Sequence, residues 1–316
     1  MKKAVVSIIL IAVFIFAGAV AVSAAPMRNE WDCVRDRISP EILLFRRAIG
    51  TQVRVQMVME TLPYIHYIDE NSYRYAAFQE LNPDMPFDKV IALVNARVDI
   101  APFNDIIIVC DPYCYKVLLN QNMSLPPGWA PDNLVDIGHG HRLQEEAAYM
   151  FLQMREAMIE EGLRVVVIST FRTLACQRYN FNNAAARWGR ASAQRQFALP
   201  GHSEHNAGLA VDIMHRWHTE FMSDANFQNS REFAWLTENA HNFGFILRYP
   251  ADYRHIHRFV FEPWHWRFVG IDAATTMFES GIGTLEEFYG RYHAHGVRQR
   301  HEKLAYANRL LEEIFG

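Results

Sequence analysis

Two stretches of this chain, Ser203-Glu204-His205-Asn206-Ala207-Gly208-Leu209-Ala210-Val211-Asp212 and Glu262-Pro263-Trp264-His265, can share one site only in a fold that joins remote segments. His205, Asp212 and His265 offer three ligands to a metal and leave a fourth position for water, while Glu262 stands spare beside the second imidazole. Such a set suits an open, catalytic zinc site better than a structural one, in which four protein ligands close the shell.

Each of these residues also has a plainer reading. A lone histidine is more often an ordinary hydrogen-bonded one, and an aspartate can cap a turn or pair with an arginine. A strand over Leu209 to Ile213 turns Leu209, Val211 and Ile213 one way and Ala210 and Asp212 the other. The carboxylate then leaves the core side, with room beside Ala210 and close backbone approach at Gly208. Pro263 stiffens the link between Glu262 and His265, so that one segment delivers both a ligand and a base. A rival set, Asp212, His215 and His218 on one helical face, requires a helix where the apolar run favours a strand. His301-Glu302 opens like a His-Glu-x-x-His zinc helix, but Ala305 stands in place of the second histidine. The pairs His139/His141, His255/His257 and His293/His295 read as surface polar groups.

Around these residues, Leu143, Ala147, Phe151, Met154 and Met158 recur at helical steps, predicting an amphipathic helix over Leu143 to Leu163. Val165-Val166-Val167-Ile168 follows as a buried strand. Further strands are expected over Gly244 to Arg248 and Arg258 to Phe261, and a helix over Arg231 to Phe243. Thr284-Leu285-Glu286-Glu287 has the spacing of a capping box, and a last helix is expected from about Arg298 to Phe315. Strands and helices mix without regular βαβ alternation, so the expected class is α+β, a small, largely antiparallel sheet flanked by helices. Helical patterns at Ser72 to Leu81 and Phe87 to Val98 make a mainly helical N-terminal extension, and the Pro- and Gly-rich stretch Leu125 to Asp132 marks its end. The expected division is an N-terminal signal or anchor over 1–24, an extension over 25–130, the chemistry-bearing domain over 131–290 and a C-terminal helix over 291–316.

Met1-Lys2-Lys3 precedes an uncharged apolar run, and Val22-Ser23-Ala24 offers small residues for cleavage, the pattern of a secretory signal. The run is also long enough to stay as a membrane anchor; either way the protein is expected outside the cytoplasm, touching a membrane only through an uncleaved N-terminal segment. Without Lys2 and Lys3 the formal charge moves from -4 to -6, 29 basic against 35 acidic residues, which gives no reason to expect nucleic acid as a partner. Cys33, Cys110, Cys114 and Cys176 are compatible with disulfides in three pairings. A Cys110/Cys114/His metal cluster lacks the second close pair such sites use, and Cys176 reads as buried or bridged rather than as a nucleophile.

The two opening stretches resemble the signature of the VanY-type D-alanyl-D-alanine carboxypeptidases, members of the LAS group of zinc peptidases. Ser169-Thr170-Phe171-Arg172 with Gln177 is similar to the family's Ser-x-Tyr-Arg…Gln segment. Pro200-Gly201, Gly244 through Pro250 and Arg267-Phe268-Val269-Gly270 match as well, and Asn82-Pro83-Asp84 with Val94-Asn95 is similar to the leader of longer members. The resemblance spans roughly residues 130 to 290. It implies one Zn2+ on His205, Asp212 and His265, Glu262 as the general base toward a metal-activated water, and Arg172, Gln177 and Ser203 in contact with the substrate. Arg172 is also the candidate to stabilise the oxyanion. The implied substrate is the stem peptide of peptidoglycan, cut by D,D-carboxypeptidase action; L,D-carboxypeptidase action on tetrapeptides, cross-link endopeptidase action and a non-catalytic wall-binding protein with a retained metal site are the alternatives. The chain departs from the family in carrying His257-Arg258 where relatives have Thr-Gly, and Phe171 where they have Tyr. Neither change removes a ligand or the base, and both bear on the shape of the pocket.

Overall fold

The computed structural model describes residues 66–215 and 227–293. The expected signal, Cys33, His218, His295, His301 and the last helix lie outside the described residues. Pro86 starts the second of two leading helices, α1 (Ser72–Leu81) and α2 (Phe87–Asn95), and α2 stops short of the expected Val98 because Arg97 turns into the left-handed region. A short parallel pair, β1 (Ile107–Ile108) and β2 (Met123–Ser124), and an antiparallel pair, β3 (Leu134–Asp136) and β4 (Arg142–Gln144), lead into α3 (Glu145–Glu160). The periodic residues Ala147, Phe151, Met154 and Met158 are all buried on α3. There follow β5 (Val165–Ser169), α4 (Leu174–Trp188), α5 (Arg190–Ala193), β6 (Ala210–His215), α6 (Arg231–Asn239), β7 (Phe245–Leu247), α7 (Arg254–His257), β8 (His265–Phe268), α8 (Ile271–Glu279) and α9 (Leu285–Tyr292).

Strands β5, β6, β8 and β7, in that order, form one sheet in which every pairing is antiparallel. This is the expected α+β class. Alternation assigns the two faces: Leu209, Val211, Ile213, Trp266 and Phe268 join Phe151, Met154 and Met158 in the main apolar core. Asp212, His265 and Arg267 are buried as well but lie outside that cluster, consistent with the opposite face of the same strands.

Two expectations change, and the rejected helical ligand set is absent. The strand at Val165 is half-buried along its whole length, because β5 is an edge of the sheet and only β6 pairs with it. Arg258 to Phe261 forms no strand: Arg258 closes α7 with φ 65°, and the ladder hydrogen bonds begin only at His265. His215 belongs to β6, so the helical arrangement of Asp212 and His215 does not form.

The N-terminal helices share the core of the sheet. Leu93, Ala96 and Val98 belong to the same apolar cluster as α3 and β6. Asn95 Nδ2 donates to Gly290 O on α9 at 3.3 Å, and Gly290 has no Cβ where the Ala92 backbone presses against it. Among the described residues no helix is long and apolar enough to cross a membrane. A methyl group at position 290 must push α2 and α9 apart, so Gly290→Ala is expected to cost about 1–3 kcal/mol of stability by overpacking. Chemical denaturation of the two proteins measures it, and equal midpoints would contradict this packing.

Candidate metal centre and cleft

Pairing register places the first two ligands. Asp212, on the central strand β6, lies opposite His265, the first residue of β8, and on its other side opposite Ser169, the last residue of β5, beyond a bulge after Val167. The third comes from a tight loop before β6. Arg172 N donates to His205 O at 3.0 Å, and Asn206 Nδ2 donates to Arg172 O at 2.7 Å, so the loop is fastened to the segment that leaves β5. His205, Asp212 and His265 are all buried and each can turn one ligand atom into a group whose atoms lie within 4.8 Å of one another. No other group of three such residues forms among the described residues, which disposes of a Cys110/Cys114/His cluster there.

The hydrogen bonds decide which atoms face inward. His205 Nδ1 lies 2.7 Å from Thr170 O, the geometry of a donor to a carbonyl, which leaves Nε2 as the lone-pair atom. That Nε2 is buried and has no hydrogen-bond partner, although it sits 3.2 Å from Asp212 Oδ2. A buried nitrogen without a partner, aimed at a carboxylate and a second imidazole, fits a cation between them. His265 turns Nδ1 to Asp212 Oδ1 at 3.1 Å and Nε2 to Glu204 Oε2 at 3.2 Å. Glu204 thus fixes the outer nitrogen of a ligand, the carboxylate–histidine arrangement seen around metals. Nothing in the sequence marks Glu204 for this role beyond its place next to His205. Its buried supports, Arg248 at 2.7 Å and Arg267 at 2.9 Å, and Glu286 behind Arg248 at 2.8 Å, went equally unassigned.

Charge follows from this geometry. Burial opposes ionisation of Asp212 and Glu204, but the imidazoles around the first and the two arginines around the second outweigh it, and both carboxyls are held well below their usual range. Burial and the Arg172 cation lower His205 to about 4, so it is neutral near pH 7. His265 also pays for burial, yet its hydrogen bonds to Asp212 and Glu204 raise it to about 9. Glu262 Oε2 lies 3.7 Å from His265 Nδ1, and burial pushes it up to about 8 against the pull of that imidazole.

These groups floor a cleft of about 540 Å³. Arg172 enters it with Nη1 on Gln177 Oε1 at 3.1 Å and Nη2 3.3 Å from Asp212 Oδ2, and its buried Nε has no partner. Gln177 is oriented by its own bond to Ala198 O, and Ser203 lines the same cleft. All seven residues singled out from the sequence therefore meet around one cavity. Other expectations are corrected. Gly208 allows a close approach, but to Leu134 and Gln144 rather than to the ligands. His257 is buried with Nε2 2.9 Å from Pro250 O, and His293 is buried with Nε2 3.6 Å from Cys114 Sγ, so neither is a surface group. Cys176 is exposed in the first turn of α4 and forms no disulfide.

Residues 140–271 match the family model described as VanY, D-alanyl-D-alanine carboxypeptidase. Over 187 residues the chain is 33% identical to the bifunctional D-Ala-D-Ala dipeptidase and D-Ala-D-Ala carboxypeptidase VanXYC of Enterococcus gallinarum, covering 58% of this chain and 96% of that one. The solved LdcB LD-carboxypeptidase is similar at 31% identity and TM-score 0.54, over 59% of this chain and 90% of its own. VanYB in complex with D-alanine-D-alanine is similar at 30% identity and TM-score 0.50, over 56% and 98%.

A cation that binds His265 Nδ1 must displace its proton. Because that proton is held up to about pH 9 in the metal-free site, Zn2+ affinity is expected to fall about tenfold per unit as pH drops from about 9 to about 7. Chelator competition measures this, and an affinity flat over that range would contradict the assigned hydrogen bonds.

Proposed function

The chain belongs to the VanY family of D-alanyl-D-alanine carboxypeptidases, and we propose that it is a zinc-dependent D,D-carboxypeptidase that trims the terminal D-alanine from peptidoglycan stem peptides outside the cytoplasm. The observation that carries this reading is the convergence of His205, Asp212 and His265 within 4.8 Å, with Glu262 3.7 Å from His265 at the same cleft. One Zn2+ held by those three residues would lower the pKa of a water toward about 7 and polarise the scissile carbonyl.

The remaining roles fall to the chain's own side chains. Glu262 stands where it takes the proton of the attacking water and returns it to the departing amine of D-alanine. Arg172 keeps its charge through the cycle, and its unpartnered Nε offers a donor either to the oxyanion or to the carboxylate that ends the peptide. Gln177 holds Arg172 in place, and Ser203 contributes to the wall that the peptide lies against. A spare carboxylate has no use in a closed structural site, which favours an enzyme over a wall-binding protein with an inert metal. The secretory pattern read from residues 1–24 agrees with a substrate that lies outside the cytoplasm.

VanYB was solved with D-alanine-D-alanine, whereas LdcB is an LD-carboxypeptidase, so the bond cut is the point to test. Incubated with defined muropeptides, the zinc-loaded protein is expected to convert pentapeptide to tetrapeptide with release of D-alanine and to leave tetrapeptide intact; trimming of tetrapeptide in the mass spectrum assigns L,D-action instead. Glu262→Ala should retain zinc and lose about 10²–10⁴-fold in kcat. Release at the wild-type rate by that variant would remove Glu262 from the mechanism.

A further inference from the structure

His257 is a buried, titratable group close to the site, and the reaction as derived leaves it without a part. It ends α7, and Arg258 after it turns the chain back through φ 65°. Phe259 N donates to His257 Nδ1 at 3.2 Å, while His257 Nε2 lies 2.9 Å from Pro250 O. An amide N–H can only donate and a carbonyl can only accept, so this pair of contacts admits one state of the ring. It is neutral, with its proton on Nε2. In that state the imidazole joins the two ends of the segment 250–259.

What the ring holds is the wall of the cleft. Phe259, Val260, Phe261 and Glu262 line the cavity in succession. Three of their amides are fixed by acceptors outside this run: Phe259 N by His257 Nδ1, Val260 N by Arg195 O at 2.9 Å and Glu262 N by Tyr249 O at 3.3 Å. Of these three acceptors only the imidazole can take up a proton. Its ring stands 5.3 Å from that of Tyr249, which in turn lies 4.9 Å from the ring of His265, so one aromatic side chain separates it from a metal ligand. Burial is the largest influence on its basicity and lowers it. Glu286 of α9 and the bond to Pro250 O act the other way, Arg248 after β7 and His255 on α7 itself lower it again, and the pKa ends below the usual imidazole value. The ring is therefore neutral near pH 7, the state that its two hydrogen bonds require.

We propose that His257 is a positioning residue for Glu262 and for the wall that a bound peptide lies against, a latch that holds in the neutral Nε2–H state and opens when Nδ1 takes up a proton. The proposal rests on the carboxypeptidase reading and adds to it a residue that does not itself line the cleft. A proton on Nδ1 sets one donor against another, and the amide of buried Phe259 loses this acceptor, a loss large enough to move the segment. Glu262 follows on the same segment. His205 and Asp212 stand on other segments, and His265 is fixed in register opposite Asp212, so the shift reaches the base before it reaches a ligand. Its signature is a loss of turnover with zinc retained.

The test compares wild type, His257→Asn and His257→Leu under saturating zinc, from about pH 8 to about pH 5, by release of D-alanine from the stem peptide that the wild type cuts. Asparagine offers a carbonyl oxygen to the N–H two residues on, as Nδ1 does, and has no proton to gain. Pro250 O keeps its bond from Tyr253 N at 3.3 Å in either variant. Near neutral pH the leucine variant is expected to lose about 10–100-fold in kcat with its zinc content unchanged, and the asparagine variant to recover most of that loss. As pH falls, the wild type should show a step in kcat that the asparagine variant lacks, whatever the ligands and Glu262 contribute to both. Nitrogen NMR of the histidine rings, with the His257 signals assigned by their absence from the asparagine variant, should show the Nε2–H tautomer. Superimposable pH profiles, a leucine variant with wild-type kcat, or a ring protonated on Nδ1 near neutral pH would overturn the latch. If the leucine variant does not fold, the asparagine profile and the ring tautomer still decide. If the wild type released D-alanine from no stem peptide, the carboxypeptidase reading alone would fail, because the tautomer and its loss on acidification are read without substrate.

Discussion

Asp212 and His265 face each other across two hydrogen-bonded strands, and much of the molecule is arranged around keeping that pair dry. Isolated ions in such a place are costly, so each is answered by another. Behind His265 stands Glu204, between Arg248 and Arg267; behind Arg248 stands Glu286, whose two oxygens meet both terminal nitrogens of the guanidinium at 2.8 and 2.9 Å. All of these side chains are essentially inaccessible. The ladder of alternating sign runs from the metal site to the first turn of α9. On that same turn Glu287 lies 3.3 Å from Lys89 of α2, and in the last turn of α9 Arg291 reaches Asp88 at 2.7 Å. Helices remote in sequence are in this way part of the support of a ligand.

That arrangement explains which parts of the site were legible. His205, Asp212, Glu262 and His265 could be read because ligand chemistry restricts residue type and Pro263 restricts spacing. Arg172, Gln177 and Ser203 came only through a family pattern. Glu204, Arg248 and Glu286 were passed over because each had a sufficient local role: a neighbour of a ligand, the end of a strand, a helix first turn rich in acids. No one-dimensional signal links positions 204, 248 and 286, and only the tertiary fold gives them one function. The strand expected at Arg258 to Phe261 failed for the opposite reason. Its β-branched and aromatic composition was real, but burial against the cleft rather than strand pairing accounts for it.

The same segment shows how a strained turn is put to use. Arg258 holds φ 65°, a conformation that suits glycine and strains a side chain. Its guanidinium, however, donates to Ile100 O at 3.0 Å and to Val98 O, both in the stretch after α2. A glycine would relax the turn and leave two carbonyls without this donor. Arginine here exchanges backbone ease for an anchor between the N-terminal region and the loop that carries Glu262.

The placement of Glu262 completes the argument. On an irregular segment just before β8 it lies close to His265 Nδ1 without sharing the carboxylate network behind that ring, and burial raises it to about 8. In the metal-free site the protons on Glu262 and His265 offset the surrounding carboxylates. A divalent ion held by His205, Asp212 and His265 would supply that positive charge itself and so favour Glu262 as a carboxylate. The burial that keeps a proton on Glu262 in the empty site is then what lets it take one up again beside the ion. An acid far more exposed would stay ionised and give the leaving amine nothing, and one within the Glu204 network would be held ionised by Arg248 and Arg267.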